Sequence, residues 1–114
     1  MFDLTLTFDN GPEPDVTPRV LDTLRERGIK TTFFVIGEKL GDPECRRLAA
    51  RAHDEGHWIG NHTFTHSVPL GQQRDRDAAQ HEIGRTQAAI WQTGSRAGQR
   101  AADEITAGAI RPAT

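Results

Sequence analysis

Thr31-Thr32-Phe33-Phe34-Val35-Ile36 is an unbroken run of β-branched and aromatic side chains, closed by Gly37. A strand that faces solvent on one side alternates polar and apolar residues. A run without alternation belongs to a strand covered on both faces, as in a parallel sheet. The flanking segments agree with that reading. Upstream, Thr17-Pro18 offers a cap followed by proline at the first helical position, Val20, Leu21 and Leu24 share a helical face, and Gly28 ends the helix. Downstream, Asp42-Pro43 repeats the start signal, Leu48, Ala49 and Ala52 form a thin apolar stripe, and Gly56 stops the helix before His57-Trp58-Ile59-Gly60. Asp3 to Phe8 alternates polar and apolar residues, which predicts a first strand ending at Asp9. The resulting order, βαβαβ, predicts an α/β fold with parallel strands and right-handed crossover helices.

The second part of the chain differs. Residues 1–66 contain nineteen large apolar side chains, whereas residues 67–114 contain seven: Val68, Leu70, Ile83, Ile90, Trp91, Ile105 and Ile110. A helix is expected from about Asp75 to Gln92, with Ala79, Ile83 and Ile90 on one side. Residues 93–114 are rich in Ala, Gly, Arg and Thr and are expected to be a poorly ordered or foreign tail.

Composition excludes several classes of function. The 114 residues suffice for one domain with a modest core, and fall well short of the roughly 250 residues of a usual complete barrel. A net charge of −2, with acidic and basic residues intermixed, supplies no basic stripe for nucleic acid. Cys45 is the single cysteine and rules out an internal disulfide. No run approaches the roughly 18 apolar residues of a membrane span. Neither a basic n-region nor an apolar h-region opens the chain, so the reading is a soluble, cytoplasmic protein without a membrane partner.

In a parallel α/β sheet ligands gather where the strands end at their carboxyl termini. Asp9 and Asn10 lie at one such end, within Leu6-Thr7-Phe8-Asp9-Asn10-Gly11-Pro12. His62 and His66 follow the third strand and reach the same rim. Their i, i+4 spacing puts both imidazoles on one side of a helix, and equally on one side of an extended segment. Two imidazoles and an oxygen donor leave an open position on a metal such as zinc. Plain readings stand beside this one. Asn-Gly is a tight-turn signal, and a chain with five histidines, at positions 53, 57, 62, 66 and 81, can contain one such pair by chance. His53 and His57 share the spacing but read as surface and strand-start residues. Asn61-His62-Thr63 matches a glycosylation acceptor, to which a chain read as unexported gives little weight.

Taken together, the acid-amide pair after strand one, TTFFV as strand two, and the Gly-His-Trp-Ile-Gly-Asn-His-Thr-Phe-Thr-His segment after it resemble the polysaccharide deacetylases with a NodB homology domain, carbohydrate esterase family 4. The resemblance covers about residues 3–92 and makes residues 1–92 a partial NodB homology domain. It implies the first part of a distorted (β/α) barrel, truncated in this chain, and removal of acetyl groups from acetylated glycans such as chitin or peptidoglycan with the aid of a divalent metal, zinc or alternatively cobalt or another divalent ion. The family's first motif usually reads T-F-D-D-G-P. By that correspondence Asp9 is the catalytic base and Asn10 stands where a metal carboxylate is usual. The motif H-[ST]-x-x-H maps on His62, Thr63 and His66, the two histidines as metal ligands and the threonine as a loop support.

Two departures follow. An amide oxygen at position 10 removes one negative charge from the metal site; Asn-Gly is also the dipeptide most prone to deamidation, which would turn Asn10 into Asp or isoAsp. The family's later motifs, with an arginine that pairs with the base and a histidine general acid, are not seen, and Arg111-Pro112 matches the start of one only by coincidence. A truncated or frame-shifted gene would account for this, and uncovered barrel edges would favour self-association. Two rivals keep part of the pattern: a catalytically inactive remnant or sugar-binding module of the same fold, and a metal hydrolase of small amides.

Overall fold

The computed structural model describes residues 2–93 and the backbone of residues 109–110. Its sheet contains β1 (Thr7–Gly11), β2 (Thr32–Val35), β3 (Trp58–Asn61) and the short β4 (Ala109–Ile110), in that spatial order. The first three are parallel, and β4 joins β3 antiparallel through Ile59↔Ile110 and Gly60↔Ala109. Between the parallel strands run α1 (Thr17–Arg27) and α2 (Pro43–Asp54), and α3 (Arg76–Trp91) follows β3. The expected α/β architecture with parallel strands and crossover helices is thus present. The poorly ordered tail was expected on residues 93–114, of which 94–108 and 111–114 lie outside the described residues.

Two starts differ from the sequence reading. The first strand was expected from Asp3, yet pairing begins at Thr7↔Thr32, and Phe2 and Leu4 are 85% and 75% exposed. Apolar alternation requires a paired, covering neighbour as well as a pattern, and the bonding between these strands reaches back only to Leu6, whose O accepts from Thr32 N (3.4 Å). In α1 the cap falls on Val16 rather than Thr17, because the Thr17 hydroxyl accepts a hydrogen bond from Glu13 N (2.8 Å) instead of capping its own helix. The other signals operate as read. The Asp42 side chain accepts from Glu44 N (3.1 Å), and Gly28 closes α1 with a left-handed φ of 64°. The helix expected from about Asp75 starts there, with a cap that the sequence reading did not name: the Asp75 side chain accepts from Asp77 N (2.9 Å).

The core forms on one face of the sheet. Phe33 and Val35 of β2 and Ile59 of β3 pack with Leu21 and Leu24 of α1, Ala49 and Ala52 of α2, and Ile90 of α3. Phe8 stacks on Phe33 with ring centroids 5.3 Å apart, joining β1 to this layer. Because side chains alternate along a strand, the register Asp9↔Phe34↔Gly60 occupies the opposite face. A short 3-10 turn, Gly37–Gly41, leads out of β2 and packs against both α2 and α3.

His53 and His57 are both buried, so the expectation of a surface position for His53 is corrected. His53 lies on the inner face of α2, beside Ala49 and Ala52, where the helix has its apolar stripe. His57 does stand at the strand start: its Nδ1 accepts a hydrogen bond from Thr31 N (3.1 Å), tying the beginnings of β2 and β3. Its ring meets Phe33 edge-on at 5.2 Å. Burial first, and the Lys30 ammonium second, hold the His57 pKa below the usual 6.5, with Glu55 opposing.

Candidate active site

The carboxyl ends of the three parallel strands lie on one rim. Ile36 N donates to Gly11 O (3.0 Å) and His62 N to Val35 O (2.9 Å), which carries the ladder past the strand ends. Asp9 pairs in register with Phe34 and Gly11 with Val35, so Asn10 is an extra residue, a bulge. Its φ of 73° is left-handed, a conformation that Asn accepts more readily than most residues. A bulge re-aims a side chain, and here both Asp9 and Asn10 are exposed at the rim. Lys39, from the 3-10 turn, fixes the bulge by donating to Asn10 O (2.6 Å) and pairing with Glu13.

The second half of the site is the loop after β3. The rings of His62 and His66 lie against each other, with centroids 4.7 Å apart and planes 29° from parallel. Neither a helix nor a regular strand brings them together. Left-handed φ values at Thr63 (64°) and His66 (56°) fold the loop back so that the second imidazole returns over the first. Such values are costly for a β-branched residue, so surrounding bonds must hold them. Thr63 O accepts from Gly37 N (2.9 Å) and Phe64 O from Glu38 N (3.0 Å), both from the 3-10 turn. Asn61 Oδ1 accepts from Thr63 N (3.0 Å), while its Nδ2 donates to Ile83 O (2.9 Å) and Gln87 Oε1 (3.2 Å) of α3. Asn61 is therefore a loop brace. The glycosylation match falls on this same residue, whose amide nitrogen is engaged with α3.

The donor set bears on a metal. Two adjacent imidazoles suit a borderline divalent ion. Among the described residues no group of three His, Cys, Asp or Glu side chains gathers to hold one. A third donor on this rim is the Asn10 amide, a type that such a grouping does not include. Asn10 lies on β1 and the histidines follow β3, with β2 between them, about two strand spacings or roughly 10 Å at backbone level.

Two further features adjoin the β1 end of this rim. A cavity of about 200 Å³ opens between the sheet and the helices, lined by Asp9 and Asn10 at the β1 end and by Phe8, Val20, Leu48 and Ala52 among others. The rest of its lining is mostly apolar and includes neither histidine, so the cavity meets the site from the β1 side alone. Cys45 is buried, with Pro12 O and Asp42 Oδ2 each 3.6 Å from its Sγ. Burial, followed by the Asp42 carboxylate, pushes its thiol pKa upward, away from a nucleophile's range.

The family model for polysaccharide deacetylase matches residues 3–101. The chain belongs to the polysaccharide deacetylase family. Among relatives of this deacetylase-family chain, the peptidoglycan-N-acetylglucosamine deacetylase of Listeria monocytogenes is 40% identical over 92 residues, 80% of this chain and 19% of that protein. The chitooligosaccharide deacetylase of Rhizobium leguminosarum bv. trifolii is 45% identical over 87 residues, 75% of this chain and 38% of that protein. A family 4 acetyl xylan esterase from Clostridium thermocellum, solved in complex with a cobalt ion, superposes with a TM-score of 0.73 at 33% identity, over 80% of this chain and 43% of the esterase. The chain thus spans from about a fifth to about two-fifths of the length of these relatives.

Proposed function

We propose that this chain carries part of the catalytic site of a metal-dependent deacetylase acting on acetylated glycans. The observation that carries the reading is the stacked His62–His66 pair on the same rim as Asp9, in a chain of this family. Relatives named for peptidoglycan and chitooligosaccharide support an N-acetylated glycan as the substrate class. His62 and His66 would hold a divalent ion, zinc or cobalt, with the Asn10 amide oxygen as a weaker third donor. When bound, the ion supplies Lewis-acid polarisation of the acetyl carbonyl and makes water a better nucleophile. Asp9, exposed at the end of β1, serves as general base and takes the proton of the attacking water.

Hydrolysis of N-acetylglucosamine oligomers, followed by acetate release with zinc or cobalt added, tests this reading. Asp9→Asn is expected to lower the rate by about 100-fold or more. No acetate release above an Asp9→Asn control, at any metal concentration, would overturn it.

A second reading is a glycan-binding module without turnover. It is favoured by the neutral Asn10 and by the lack, among the described residues, of a third charged or imidazole donor. Saturable oligomer binding without acetate release would select it. Hydrolysis of small acetamides in preference to oligomers would select a small-amide hydrolase instead.

A further inference from the structure

We infer that Glu82 is a positioning residue for His66, acting through Thr65. The inference rests on the reading of His62 and His66 as a metal pair. The loop between the two histidines is held at several points, and the attachments divide by position. His62 N is fixed by Val35 O, Thr63 O by Gly37 N, and Phe64 both by Glu38 N and by the Arg85 guanidinium, 3.9 Å above its ring. All of these act before residue 65. At Thr65 the contact is Glu82, on α3 and seventeen residues away in sequence: its carboxylate accepts from Thr65 N (3.2 Å to Oε2) and also from the Thr65 hydroxyl. The hydroxyl in turn lies 2.6 Å from Ser67 Oγ, so the bonded unit brackets His66 on both sides.

This bracket has a mechanical role. His66 sits at φ 56°, and the stack on His62 exists only while the backbone stays there. A left-handed residue outside glycine persists when its neighbours over-determine it. A carboxylate that accepts two bonds from one residue is well suited to that, since hydrogen bonds to an ionised acceptor are the strong ones. Glu82 is anchored in turn, because the next turn of α3 is buried through Thr86, whose hydroxyl donates to Glu82 O (2.9 Å). The helix thereby sets the position of the second imidazole. Partners bonded directly to a metal ligand are worth about 10- to 100-fold in metal affinity; Glu82 acts one residue further out, through Thr65, so the lower end of that range applies.

The experiment compares wild type, Glu82→Ala and Glu82→Gln by zinc titration calorimetry, thermal unfolding and metal-free amide and imidazole NMR. Glu82→Ala is expected to weaken zinc binding by about tenfold or more, to shift the Thr65 and His66 amides, and to leave the His62 amide and the core resonances in place. Glu82→Gln, which keeps an acceptor oxygen, is expected to recover most of the affinity. A metal-free spectrum in which Glu82→Ala leaves Thr65 and His66 unmoved would overturn the inference, as would equal loss at His62 and His66 with a collapsed melting transition in both variants. Absence of zinc binding in wild type would instead remove the metal reading, and the metal-free spectra would still decide the role of Glu82.

Discussion

Asn10 concentrates the chemistry of this chain in one side chain. Its bulged, left-handed backbone suits Asn and Asp alike, so Asn10→Asp changes charge without changing the fold. A carboxylate at this position is expected to tighten zinc on the order of tenfold, about 1.4 kcal/mol, read by calorimetry; equal affinities would separate Asn10 from the metal site. If Asn10 deamidates, aged protein should gain affinity in parallel with the appearance, in a peptide mass map, of a peptide carrying aspartate in place of Asn10. Removal of either imidazole tests the pair directly. Zinc at about a hundred times its Kd adds about 2.7 kcal/mol to the stability of a protein that binds it, so the zinc-dependent rise in Tm should vanish in His62→Ala. These residue types were readable in the sequence, because motif spacing survives without coordinates. The Asn61 brace and the Glu82 bracket were not, since their partners lie 22 and 17 residues away with no pattern to join them.

At the scale of elements, the junction of β2, the 3-10 turn and α3 governs the site. A Cβ added to Gly37 would lie 2.8 Å from Phe64 Cδ2 and 2.9 Å from the backbone Cα of Thr86. Neither can yield without moving the histidine loop or α3, so Gly37→Ala should cost about 1–3 kcal/mol and weaken zinc binding along with Tm. Unchanged Tm would mean that the junction is looser than its contacts imply. His57 provides the pH-dependent element. Its folded-state pKa lies below 6.5, so the folded chain binds this proton less readily than the unfolded one. Its contribution to stability is complete above that value and is lost as pH falls through it toward the folded-state pKa. Tm is expected to decline on acidification below about pH 6.5, with a shallower slope in His57→Gln across about pH 5 to 8. Helix starts and stops were legible here, because Asp42 and Gly28 act on their own neighbours. The 3-10 turn was not, since its geometry follows from the surfaces of α2 and α3.

For the molecule as a whole, the exposed start of the sheet matters most. Phe2, Leu4 and Leu6 are exposed, and β1 is an edge strand among the described residues. An open edge continued by apolar side chains is a template for pairing with another copy. Concentration-dependent association is expected in sedimentation analysis, and Leu4→Lys with Leu6→Lys should shift it toward monomer; a monomer at all concentrations in the parent chain would rule out this edge as an interface. The sequence by itself determined the order of strands and helices, the family, and the residues at the two strand ends, because hydrophobic period, caps and motif spacing are local and survive in one dimension. The tertiary structure alone decided where β1 begins, that His53 is buried, that β4 runs antiparallel, and how His66 returns over His62. Those outcomes depend on which surfaces meet, and a bulge or a left-handed turn is fixed by partners distant in the chain.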